Sequence, residues 1–205
     1  MIEANNISKR YSNVQVICDF TIKIPEGDFI AITGASGSGK TTLLNLMGLL
    51  EKPTSGYLTI NNISNPTKRQ TMLIQRSLFG YIFQNFGLIE SETVVENLLI
   101  PLAYSKSKNK REEIQRALDY VNLTGFEKRK IYELSGGEQQ RVALARVFLK
   151  KCSYIFADEP TGNLDIKNRD IVFSILQKLH DSGKAIIFVT HDEDLVSKAN
   201  RHIRL

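Results

Sequence analysis

The chain has no tryptophan, two cysteines, five prolines and three histidines in 205 residues. Two cysteines are too few for a disulfide-stapled scaffold. Neither Cys18 nor Cys152 has a second Cys or His at metal-ligand spacing. Each sits beside an apolar, strand-like run and is expected in the core. Long hydrophobic runs are missing as well: the longest uncharged apolar stretch, around Leu98 to Tyr104, falls far short of the roughly 18 to 20 residues needed to cross a bilayer. No segment is expected to span a membrane. The N-terminal Met1-Ile2-Glu3-Ala4-Asn5 lacks the basic start and apolar centre of a secretory signal, so a cytosolic location is expected. Internal repeats and low-complexity tracts are absent, which excludes solenoid and collagen-like architectures.

What is present is ordinary globular composition, 42% apolar and 24% charged, enough for one full domain with a core of its own. The net charge is +5, and residues 103–131 alone carry eight basic side chains (Lys106, Lys108, Lys110, Arg111, Arg116, Lys128, Arg129, Lys130) against four acidic ones. Two readings fit that segment. One is a patch facing anionic lipid or nucleic acid. The other, the usual state of a surface helix, is a solvated face with Ile114, Leu118 and Val121 turned toward a core.

Ile2 to Ser8 and Val16 to Ile24 read as strands, and Pro25-Glu26-Gly27-Asp28 turns the chain into the apolar run Phe29 to Thr33. A Gly-rich loop follows, then a helix expected from Lys40 to Leu50. Tyr57 to Ile60 and Gly80 to Phe83 are further strands, with a helical segment from Lys68 to Leu78 between them. From Glu92 to about Lys150 only helical periodicity is visible, so a helical insert is expected there. Tyr154 to Ala157 and Ala185 to Thr190 are continuous apolar runs on either side of a helix over 166–180. Such runs suit parallel strands buried on both faces.

Gly34-Ala35-Ser36-Gly37-Ser38-Gly39-Lys40-Thr41 fits G-x-x-x-x-G-K-[ST] between a strand and a helix, the context in which that pattern cradles phosphates. The glycines let successive N–H groups turn inward, and the helix start adds the positive end of its dipole. Lys40 brings a full charge to β- and γ-phosphate oxygens, and the Thr41 hydroxyl can serve Mg²⁺. A second acidic site lies at Asp158-Glu159, where the strand from Tyr154 ends. Asp158 is placed to hold Mg²⁺ directly or through water, and Glu159 is the candidate general base for a water attacking the γ-phosphate.

Leu134-Ser135-Gly136-Gly137-Glu138-Gln139-Gln140-Arg141 carries the resemblance that follows. Read from its residues, Ser135 is an N-cap and the glycines leave backbone N–H groups open to an anion where a helix begins. With the phosphate loop ahead and the paired acids behind, the run resembles the signature motif of ABC-type ATPases, the nucleotide-binding subunits of ATP-binding cassette transporters. The resemblance covers essentially the whole chain. It implies an α/β P-loop NTPase fold with a mainly parallel core sheet, an antiparallel β subdomain and an inserted helical subdomain. The expected division is residues 1–84 and 151–205 for the core with its β subdomain, and 85–150 for the helical part.

The resemblance also implies roles. Gln84 looks like the glutamine that contacts Mg²⁺ or the attacking water, His191 like the histidine at the γ-phosphate, and Tyr11 like the aromatic ring against adenine. Thr42 joins residues 34 to 41 as an ATP contact. Ser135, Gly137 and Asp165 look like groups that reach the ATP bound to a second copy packed head to tail. ATP and Mg²⁺ are the implied cofactors. Implied partners are that second copy and a separate integral-membrane permease docking near Gln84, Phe86, Gly87, Leu88 and Ile89; no nucleic acid is expected. This would hold the chain at the inner face of the cell membrane.

Within the family, Asn85 to Ile89, Glu96-Asn97-Leu98 and Asp158 to Asp165 look most like the ATPases of macrolide-efflux, lipoprotein-release and cell-division systems. Residues 86–98 look closer still to ATPases assigned to bacteriocin export. Export of a peptide, drug or lipid-linked cargo is the first functional expectation, and signalling through a membrane partner without solute movement is the alternative. His180 and His202 match no family position and are expected at the surface. The chain stops at Arg204-Leu205, where longer members commonly add a strand and an extension, so no regulatory domain is expected there.

Overall fold

A computed structural model describes residues 1–205, and its strands separate into two sheets. The first is antiparallel: β1 (Ile2–Tyr11), β2 (Val14–Ile24), β4 (Ser55–Ile60) and β5 (Ile63–Ser64) lie in the order β2-β1-β4-β5. The second is parallel throughout: β3 (Phe29–Thr33), β6 (Phe79–Ile82), β7 (Tyr154–Asp158), β8 (Ala185–Val189) and β9 (Arg201–Arg204) lie in the order β6-β7-β8-β3-β9. Seven α-helices, α1 (Lys40–Met47), α2 (Lys68–Ser77), α3 (Val94–Leu99), α4 (Lys110–Tyr120), α5 (Gly136–Leu149), α6 (Ile166–Asp181) and α7 (Glu193–Val196), and one 3-10 turn (Ile131–Glu133) complete the chain.

The apolar runs of β3, β7 and β8 are buried on both faces, and their side chains divide by the two-residue period of a strand. Phe29, Ala31, Ile155, Ala157, Ile186 and Phe188 face a core built with α3, α4, α5 and α6. Ile30, Ile32, Tyr154, Phe156, Ile187 and Val189 face the opposite core, shared with α1 and the antiparallel sheet. The middle strands therefore sit between two apolar layers. Their C-terminal ends open to one edge, and the strand order brings the residues that follow β6, β7, β8 and β3 together there, the usual ligand edge of an open α/β sheet.

Between residues 92 and 150 there are helices and turns and no strand, as the periodicity predicts; one bridge pairs Thr93 with Lys130. Ile114, Leu118 and Val121 are buried while Lys106, Lys108, Arg111, Arg116, Lys128, Arg129 and Lys130 are exposed. The apolar residues of this segment thus turn to the core and its basic residues turn outward.

Four expectations need correction. The helix after the phosphate loop ends at Met47, short of Leu50, because Gly48 caps it and Leu49 turns left-handed at φ 58°. A strand unforeseen in the sequence, β9, pairs in parallel with β3; it is four residues long and mostly charged, without an apolar run to reveal it. Cys152 is buried as expected, but Cys18 is exposed. His180 is half-buried and stacks on Phe29 at 4.9 Å between ring centroids, so of these two histidines only His202 is exposed, against the Thr33 hydroxyl.

Candidate active site

The loop between β3 and α1 is shaped by its glycines. Gly39 adopts φ +96°, and a Cβ there would stand 2.8 Å from the Val16 side chain, so only glycine fits. No side chain caps α1, and the N–H groups of its first turn are left for a ligand. Lys40 is buried. Its Nζ donates to the carbonyl oxygens of Gly34 at 3.1 Å and Ala35 at 2.9 Å, which holds the charge inside the loop. Ser38 Oγ is buried without a partner, an uncompensated polar atom of the kind a bound oxyanion satisfies. Ser36 and Gly37 are exposed at the loop tip, and Thr42 is half-buried on α1.

The second acidic site meets this loop. Thr41 donates its hydroxyl to Asp158 Oδ1 at 3.2 Å across the sheet edge. Burial pushes the Asp158 carboxyl above its usual range; the Thr41 hydrogen bond lowers it, the Glu159 charge raises it and Lys40 lowers it again. Glu159 follows directly with φ +46°, a left-handed backbone that costs on the order of 1–3 kcal/mol for a side chain of this kind and clusters at functional positions. The turn aims its carboxylate at two partners. His191 Nε2 lies 3.1 Å from Oε1, and Gln84 Nε2 donates to Oε2 at 3.4 Å. Three residues far apart in sequence thus converge. A cleft of about 280 Å³ beside them is lined by Glu159, Thr161, Gly162, Thr190 and His191 and by no apolar side chain.

The signature run begins α5 as its residues predict. Ser135 is the N-cap: its Oγ accepts from the Glu138 N–H at 3.4 Å and Glu138 Oε2 accepts from the Ser135 N–H at 2.7 Å, a reciprocal capping box. Burial raises the Glu138 carboxyl, but the Ser135 hydrogen bonds and the nearby Arg141 and Arg129 charges together hold it below the usual range. No hydrogen bond joins Ser135 to the phosphate loop of its own chain. Gly137 is buried beneath Asn168, whose Cγ would lie 2.5 Å from a Cβ added there.

Several positioning residues went unnoticed in the sequence. Arg141 donates to Asn168 Oδ1 at 2.8 Å, and Asn168 donates both its backbone N–H and its Nδ2 to the Asp165 carboxylate, each at 2.8 Å. The backbone bond, then the side-chain one, holds the Asp165 carboxyl below its usual range. Gln140 donates to the Pro160 carbonyl at 2.7 Å. The signature helix is therefore tied to the turn that carries Glu159. Arg146, further along α5, donates to the carbonyls of Phe86 and Gly87, at 3.2 and 2.5 Å, and fixes the loop after Gln84. Arg169 donates to Asp192 beside His191 at 2.8 Å. Gln140 and Arg141, a polar pair that heads the apolar stretch 142–145, were the one available signal. Tyr11 ends β1, exposed, with its hydroxyl donated to Glu51.

The profile of the ABC transporter family matches residues 17–162. The chain is 40% identical to the macrolide export ATP-binding/permease protein MacB of Bdellovibrio bacteriovorus, over 100% of this chain and 32% of that protein. It is 39% identical to the lipoprotein-releasing system ATP-binding protein LolD of Francisella tularensis, over 100% of this chain and 93% of that one. It thus spans about a third of the first and most of the second. Its fold matches the dimeric post-hydrolysis structure of the ATP-binding cassette MJ0796 bound to ADP and Pi, with a TM-score of 0.92 and 35% identity, covering 100% of this chain and 94% of that one. On the signature run, the phosphate loop and the paired acids alike, this chain belongs to the ABC transporter family.

Proposed function

We propose that this chain is the ATP-binding and ATP-hydrolysing subunit of an ABC transporter, which closes head to tail on a second copy and drives a separate membrane permease. The observation that carries the reading is the convergence of Lys40, Thr41, Asp158, Glu159, Gln84 and His191 at one sheet edge, while Ser135 heads a different helix with no bond to that loop.

The triphosphate lies in the loop 34–41, held by backbone N–H groups and by Lys40, which exchanges its carbonyl partners for phosphate oxygens. Adenine stacks on Tyr11, and Thr42 adds a contact from α1. Thr41 and Asp158 fit Mg²⁺: both are oxygen donors, they already meet, and no cluster of three or more His, Cys, Asp or Glu is present to make an all-protein cage. Such a site suits an ion that keeps water and phosphate oxygens among its ligands. Thr41 and Asp158 would hold it, with Gln84 at its edge, and it would supply neutralisation of charge on the phosphates. Glu159 takes the proton of the attacking water as the new O–P bond forms at the γ-phosphate and the bond to the β-phosphate oxygen breaks, with ADP leaving. His191 stands beside that base to bond the γ-phosphate.

The site is completed by the other copy, through Ser135, Gly137 and Asp165. Support comes from the dimeric state of the MJ0796 structure and from the exposed N-cap of α5. Residues 85–150 form the lobe that presents Ser135, and residues 1–84 with 151–205 form the core that holds ATP. No helix is long and apolar enough to cross a membrane. In this reading the permease is a separate subunit docking near Gln84 and residues 86–89, where Ile89 is exposed, and it holds the chain at the inner face of the membrane. The cargo in this reading is a peptide, drug or lipid-linked molecule; the names of MacB, a macrolide export protein, and LolD, of a lipoprotein-releasing system, support the drug and lipid-linked forms. Bacteriocin export is the narrower form of the same reading.

The test is affinity capture from native membranes in mild detergent with ATP, using Glu159→Gln as bait. A multi-span membrane protein retained with the bait is expected. Recovery of nucleic acid, ribosomes or nothing would contradict the transporter role.

A further inference from the structure

Glu51 lies in the turn after α1 and joins three parts of the nucleotide site. Its carboxylate accepts the Tyr11 hydroxyl from the end of β1, the Lys9 Nζ at 3.2 Å and the Asn45 Nδ2 of α1 at 3.3 Å. The turn is itself held by α1, since Leu50 N–H and Glu51 N–H donate to the Asn45 carbonyl at 2.9 and 3.2 Å. Lys9 also donates to the Lys52 carbonyl at 2.8 Å and stands 4.9 Å from the centre of the Tyr11 ring. Lys9 and Glu51 are largely covered, with side chains 15% and 28% exposed, whereas Tyr11 is 43% exposed. The aromatic platform is thus held less by packing than by its hydroxyl.

We propose that Glu51 is the positioning residue that fixes the Tyr11 ring at a set distance from the phosphate loop, so that the site takes a nucleoside triphosphate in preference to a bare polyphosphate. The inference rests on the reading of loop 34–41 and Tyr11 as the two ends of an ATP site. Helix α1 carries Lys40 and Thr41 at its first turn and Asn45 one turn later. The bridge Asn45–Glu51–Tyr11 therefore ties the ring to the element that grips the phosphates. A ring already fixed loses less side-chain freedom when a base stacks on it, and this preorganisation appears as affinity for the base. Burial raises the Glu51 carboxyl, but the hydrogen bonds from Tyr11, Lys9 and Asn45 together hold it below the usual range, so the acceptor is ionised at neutral pH. Its bond in turn raises the Tyr11 hydroxyl above its ordinary value and keeps it a donor.

The experiment measures the affinities of ATP and of inorganic tripolyphosphate on the full chain by titration calorimetry. Glu51→Ala should weaken ATP on the order of tenfold, part of what stacking on an aromatic ring contributes, and leave tripolyphosphate within about twofold. Glu51→Gln replaces the charged acceptor with a weaker amide carbonyl, and Tyr11→Phe removes the donor but keeps the ring; each should weaken ATP by roughly threefold, and together they should cost little more than Tyr11→Phe alone, since both act on the same bond. These milder variants decide the matter if Glu51→Ala fails to fold. Equal weakening of ATP and tripolyphosphate, or no change in ATP affinity, would overturn the proposal. Failure of the unmodified chain to bind either probe would instead remove the ATP-site reading on which it rests.

Discussion

His191 holds its Nε2 3.1 Å from Oε1 of Glu159, and the two residues follow β8 and β7, which are neighbours in the sheet. The imidazole and the carboxylate are thus direct partners. In the proposed mechanism a γ-phosphate bonded by His191 would take the histidine from this pair and release Glu159 to accept a proton from water.

Glu159→Gln keeps the side-chain volume and the Gln84 contact but removes the proton acceptor. Turnover should fall by about 10²–10⁴-fold, the usual contribution of a positioned base, while ATP affinity stays within a few-fold. Steady-state phosphate release and equilibrium ATP binding check this, and turnover equal to the unmodified chain would remove Glu159 from the role of base.

Lys40→Ala removes a buried cation from the phosphate loop. ATP affinity should drop by roughly 10- to 100-fold, since hydrogen bonds to charged groups are worth about 1.5–3 kcal/mol. Calorimetric titration with ATP reads the change directly. Unaltered affinity would show that the loop binds its ligand by backbone alone.

Asp158 makes stability depend on pH. Its folded carboxyl lies above the ordinary range, chiefly through burial, so the folded chain binds its proton more tightly than the unfolded one and stability falls as pH rises through that interval. Asp158→Asn has no such proton and should melt higher than the unmodified chain at pH 7. The gain should shrink toward zero at about pH 4 and below, where an ordinary carboxylate is protonated. Thermal melts across this range, without nucleotide, decide it; a gain independent of pH would contradict the assigned cause.

Gly137 tests the packing under the signature. An alanine there would bring Cβ within 2.5 Å of Asn168, and overpacking of this kind costs roughly 1–3 kcal/mol. Gly137→Ala should lower the denaturation midpoint, and adding Asn168→Ala should restore part of it by removing Cγ and Oδ1. Equal midpoints for single and double variants would mean that Asn168 is not the obstruction.

The parts of this fold written as apolar period were legible in the sequence. Tyr154 to Ala157 and Ala185 to Thr190 read as strands buried on both faces, and β7 and β8 are so buried, β8 ending at Val189; the apolar run Phe29 to Thr33 is β3. The phosphate loop was legible because glycine spacing is a backbone requirement. That Thr41 and Asp158 share one end of the sheet followed from their common Mg²⁺ role, and Gln84 and His191 joined them through the resemblance; the direct bonds of Thr41 to Asp158 and of Gln84 and His191 to Glu159 did not, since no local pattern encodes them. β9 is too short and too charged to stand out, and it exists because β3 offers it an edge. Arg146 and Asn168 were invisible for a related reason: each is one polar side chain whose partner lies 60 or three positions away; Arg141 stands in the signature run, but its bond to Asn168, 27 positions on, does not show there.

In the proposed dimer each site is shared between two copies, with ATP between Lys40 of one and Ser135 of the other. Sedimentation of Glu159→Gln with and without saturating ATP, beside the double variant Glu159→Gln/Ser135→Arg, tests it most directly. Glu159→Gln should pass from monomer to dimer when ATP is added, while the double variant binds ATP with the same affinity and stays monomeric. A double variant that dimerises as readily as the single one, or a single variant that stays monomeric with ATP bound, would contradict the claim.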